Sequence, residues 1–64
     1  MTISQKLRTL RSNLGISQKN LARIIGVAQS TIDCYEMDIV PIPEEFLTSV
    51  AEYFRVNINY FYNN

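Results

Sequence analysis

Between Ser17 and Met37 the chain carries two helical patterns of barely two turns each, separated by Gly26, and this arrangement restricts the fold more than any other feature. Helices that short do not stand alone, because nucleation is recovered over only a few hydrogen bonds. They must brace one another. Swinging one short helix steeply across another requires a small residue where the backbones approach, a residue tolerant of positive φ at the corner, and apolar anchors on both sides. Ala22 and Gly26 meet the first two needs, and Leu21, Ile25, Val27, Ile32 and Tyr35 supply the anchors.

The remaining segments predict helices for that corner to lean on. Ile3, Leu7, Leu10 and Leu14, spaced by four, three and four, form one stripe of a helix over residues 2–13, with Gly15 as its left-handed stop. Ser17 is a favourable N-cap for the second helix, which turns Leu21, Ile24 and Ile25 inward and ends at Gly26. A third helix is expected from Ala28 to about Met37. Pro41-Ile42-Pro43 then forces an extended connection. Pro43 suits the first turn of a fourth helix, where Glu44 and Glu45 meet the positive end of the dipole and Phe46, Leu47, Val50, Ala51 and Phe54 face inward. Asn57 caps a short fifth helix holding Ile58 and Phe61. The expectation is an all-α fold of five helices without strands, forming one domain over residues 1–64.

A chain of 64 residues has a core barely large enough to fold unaided. The apolar loop over residues 39–42 is therefore expected to pack over the core rather than to form an interaction patch, and Tyr62 is expected to join Phe61 in covering it.

Composition narrows the chemistry. With no His and a single Cys34, the chain has no internal disulfide, no Cys/His zinc site and no His general base. It also lacks a nucleophile–base pair and a phosphate-binding loop, so no catalytic residue, metal, cofactor or small-molecule substrate is expected. The lone thiol fits a reducing cytoplasm, the apolar runs are far too short to cross a membrane, and the N-terminus lacks the layout of a signal peptide. Six basic and six acidic residues cancel, but five of the six cations lie in the first 23 residues and all the acids between Asp33 and Glu52. The N-terminal third reads as a basic surface, which suits a polyanion.

Leu10-Arg11, Gly15-Ile16-Ser17-Gln18, Leu21-Ala22, Gly26-Val27, Gln29-Ser30 and Val50-Ala51 with Val56 and Phe61 follow one another in register. In this series the chain resembles the helix-turn-helix domain of the Cro and phage-repressor family, over nearly its whole length. The resemblance implies a lambda-repressor-like fold with the helix-turn-helix at about residues 18–37. It also implies a double-stranded DNA partner, read by a transcription repressor that binds a palindromic site as a homodimer, with half-sites about 10 base pairs apart.

The face that would do the reading follows from helical rotation. With Ile32 inward, Ser30 and Cys34 are turned by about 200°, flanked by Gln29, Asp33 and Met37. Gln29 is the foremost candidate for base contact, since an amide accepts from adenine N6 and donates to N7. Ser30 is less selective, and Ala28 or Cys34 suits a thymine methyl. Asp33 has two readings: acceptor for cytosine N4, or a charge repelled by phosphates. The resemblance assigns Gln18 to a phosphate, together with backbone N–H groups at the start of the second helix; Lys19 and Arg23 are further candidate clamps, each also readable as solvated helix surface. The arginine matching Arg11 pairs in the family with the glutamate matching Glu36, so a largely buried ion pair is implied. Arg55 and Tyr60 lie near the family's usual dimer contact. The pattern departs after Glu36, where Asp38 occupies a glycine position and Ile39, Val40 and Ile42 stand where cations are usual. That departure weakens the second backbone clamp and leaves a competing function, a helix-turn-helix module reused for protein contact as an antirepressor or partner-binding domain.

Overall fold

A computed structural model describes residues 1–63. Among the described residues there are five helices and no strand: α1 (Ile3–Asn13), α2 (Gln18–Ile25), α3 (Gln29–Glu36), α4 (Glu44–Phe54) and α5 (Asn59–Tyr62). None of these is long and apolar enough to cross a membrane.

Local chemistry sets the ends. Thr2 caps α1 through a reciprocal pair: its Oγ1 accepts from the Gln5 N–H at 3.1 Å, and Gln5 Oε1 accepts from the Thr2 N–H at 2.9 Å. Ser17 caps α2 by accepting from the Asn20 N–H at 3.0 Å. Gly26, at φ 90°, closes α2 while its own N–H and that of Val27 both return to the Ala22 carbonyl. Asn57 Oδ1 accepts from the Asn59 N–H at 2.9 Å just ahead of α5, but the helix starts later than the sequence reading has it: Ile58, expected inside it, occupies the N-cap position. At the α3 ends the outcome is one residue shorter on each side than the sequence reading: Ala28 and Met37 are caps.

Each helix contributes to one core. Leu7, Leu21, Ile32, Leu47, Val50 and Phe61 are fully buried, joined by Ala22, Phe46 and Ala51. Tyr35 and Phe46 meet edge to face with ring centroids 4.8 Å apart, tying α3 to α4. α2 packs chiefly on α3, and α1 lies against both α3 and α5.

Four apolar expectations are corrected. Leu14 is exposed, because it falls at the α1 C-cap where the chain is already turning, and Ile16 packs against the core beyond it. Ile24 is only half-buried at the rim, since the buried face of α2 is Leu21 and Ala22 and Ile24 is turned by about 200° from Ala22. Tyr62 is exposed, as α5 is a single turn with room for one inward residue, Phe61. Ile39 is 62% exposed and Val40 is exposed as well, so the loop does not cover the core; only Ile42 returns to it. The cause lies at Asp38, whose φ of 59° turns the chain outward after α3. Asp tolerates that left-handed conformation better than most residues. Its carboxylate also accepts from Ser4 Oγ, on buried α1 surface, at 3.1 Å.

Candidate nucleic-acid interface

The outward side of α3 carries the residues singled out for base contact. Ala28, Gln29, Ser30 and Asp33 are exposed, and Met37 continues the same edge. Cys34 is half-buried and offers only part of its side chain. Ile32 holds the helix from behind with no exposed surface.

Beside this face lies the start of α2. Ser17 satisfies the Asn20 N–H, while among the described residues the N–H groups of Gln18 and Lys19 have no protein acceptor. They point out of the first turn, where the helix dipole favours an anion. Lys19 and Arg23 are exposed and four residues apart, hence on one side of α2.

Behind both elements sits the ion pair expected from the resemblance. Arg11 Nε donates to Glu36 Oε2 at 2.6 Å and Nη2 to Oε1 at 3.0 Å, while Nη1 donates to the Ile16 carbonyl at 2.9 Å. Three elements are thereby fixed by one guanidinium: α1, the α1–α2 turn and α3. Burial pushes the Glu36 carboxyl up, but hydrogen bonds from Arg11 and Gln18 and the charges of Arg11 and Arg8 outweigh it, holding the group below its ordinary range. The hydrogen bond to Glu36 likewise raises the Arg11 guanidinium against the opposing effect of desolvation.

Gln18 is drawn into this network. Its Nε2 donates to Glu36 Oε1 at 3.1 Å and to Asp33 Oδ1 at 3.3 Å. Arg8, unnoticed in the sequence beyond its charge, is an exposed cation 4.0 Å from Glu36, next to the same corner. The basic surface read from the N-terminal third is correspondingly narrower. Lys6 is buried and Arg11 is committed to Glu36, which leaves Arg8, Lys19 and Arg23 exposed. No local signal marked Lys6 as buried, because its surroundings are set by the way α5 crosses α1.

The residues proposed for subunit contact lie away from this face in sequence and differ in exposure. Arg55 is exposed and takes φ 58° as the α4 C-cap. Tyr60 is half-buried, stacked edge to face on Phe61, and its hydroxyl donates to the Lys6 carbonyl at 3.1 Å. Its polar end is thus used inside the monomer.

A family model described as a helix-turn-helix domain matches residues 4–64. Among solved structures, the fold is similar to that of the P22 c2 repressor protein, crystallised in complex with a synthetic operator. The TM-score is 0.83 at 21% sequence identity, over 95% of this chain and 92% of that chain. No curated protein matches the chain in sequence. The five-helix arrangement is the lambda-repressor-like fold.

Proposed function

Because this chain belongs to the helix-turn-helix domain family, we propose that it is a sequence-specific double-stranded DNA-binding module of a transcription repressor. The observation that carries the reading is the pairing of an uncovered polar face on α3 with the open N-terminal turn of α2, both locked to α1 by the Arg11–Glu36 pair. The P22 c2 repressor, similar in fold, is seen with an operator. In this reading α3 enters the major groove, Gln29 reads an adenine edge, Ser30 contributes a less selective bond, and Ala28 with the exposed part of Cys34 meets thymine methyls. The backbone N–H groups of Gln18 and Lys19 take one phosphate together with the Gln18 side-chain amide, and the Lys19 and Arg23 side chains, with Arg8, supply cationic contacts. Two copies bind a palindromic site, with Arg55 and the exposed part of Tyr60 at their contact.

A selection of bound sequences from a random duplex pool, followed by competition with single-base variants of the selected site, tests this. Gln29→Ala is expected to cost about 1–3 kcal/mol, confined to one base pair of each half-site. A loss spread evenly over all positions would remove Gln29 from the reading role.

Exposed Met37, Ile39 and Val40 favour a second reading, contact with a protein partner. A module of that kind would select no sequence from the pool.

A further inference from the structure

We propose that Asp33 is a built-in competitor of the DNA backbone for the Gln18 side chain, so that it lowers affinity for every duplex instead of reading a base; the inference rests on the DNA-binding reading above. An amide nitrogen has two hydrogens, and both of those on Gln18 are engaged inside the protein, one by Glu36 and one by Asp33. Phosphate oxygens only accept. Gln18 therefore reaches a phosphate by giving up one internal bond, because its remaining polar atom, the carbonyl oxygen, is an acceptor facing acceptors.

The two bonds are not equivalent. Glu36 is buried and held by two Arg11 nitrogens, which leaves it no freedom to move. Asp33 is exposed, and its bond is the longer one, 3.3 Å against 3.1 Å. It is the bond that yields. Asp33 also sets a negative charge against the first residue of α2, beside the N–H groups assigned to the phosphate, where a like charge opposes binding. With cations missing from the loop after α3, this carboxylate works in the same direction, toward a weakly gripping module.

The test is a double-mutant cycle on binding, with Asp33→Ala, Gln18→Ala and the double variant measured on the selected duplex and on a scrambled duplex of equal length. Melting curves verify that each variant is folded at the assay temperature; if Gln18→Ala is not, Gln18→Met, which keeps the length of the side chain, takes its place. Asp33→Ala is expected to tighten binding of both duplexes about five- to tenfold at low salt, and most of that gain is expected to vanish when Gln18 is also replaced. A gain of the same size in both backgrounds would reduce Asp33 to simple charge repulsion and overturn the competition. Weaker binding of the selected duplex alone, with relaxed preference at one base pair, would make Asp33 a base reader and also overturn it. If the folded wild type binds neither duplex, the functional reading itself fails and takes this inference with it.

Discussion

Replacing Glu36 with alanine is expected to cost about 3–5 kcal/mol and to leave most of the chain unfolded at room temperature. Glu36 is only 6% exposed and meets Arg11 through two hydrogen bonds, so its removal strands a guanidinium whose side chain is itself only 16% exposed. A domain this small has a total stability of about 3–5 kcal/mol, comparable with that loss. Urea and thermal unfolding followed by circular dichroism measure it. Arg11→Met combined with Glu36→Leu, which removes both charges, is expected to recover most of the loss. Recovery no better than the single variant would mean that the pair stabilises the fold by more than avoiding an unpaired charge. The pair also predicts acid lability with a definite sign. Because the folded Glu36 carboxyl is held below its ordinary value of 4.5, its contribution is fully present above that pH and is lost as pH falls through the lower, folded value. In the double variant this part of the acid lability is expected to be absent.

Ile32→Ala is expected to be nearly as damaging, at about 2–5 kcal/mol. The side chain has no exposed surface and is the inward pole of α3, and α3 packs on both α2 and α1. Truncation opens a cavity directly beneath the face assigned to the groove. Ile32→Val, which removes one methylene, is expected to cost about 0.5–1.5 kcal/mol and to leave duplex selection unchanged. Equal costs for the two variants would show that Ile32 is not the anchor of the helix.

What was legible in the sequence was what short-range chemistry decides. Gly15, Ser17, Gly26 and Asn57 act on neighbours within a few residues, so the helix ends lie close to where the sequence predicts them. The inward anchors Leu7, Leu21, Ile32, Val50 and Phe61 followed from helical spacing. The Arg11–Glu36 pair spans 25 positions and was reachable only through resemblance to a family in which it recurs. Contacts peculiar to this chain were invisible. Ser4 bonding to Asp38, Tyr60 bonding to Lys6 and Gln18 bridging two carboxylates all depend on how helices cross, which no local pattern encodes. Residues 39–40 depart from the sequence expectation for a related reason. Apolar character argued for burial, whereas the left-handed turn at Asp38 decided their direction.

Sequence-selective DNA binding is decided by the affinity of the folded chain for its selected duplex across a series of salt concentrations, followed by fluorescence anisotropy. Three or four phosphates neutralised per monomer predict a log–log slope of about −3 per subunit, with the selected duplex preferred to a scrambled one throughout. Binding indifferent to salt, or no binding by folded protein in dilute buffer, would mean that this chain is not a reader of DNA.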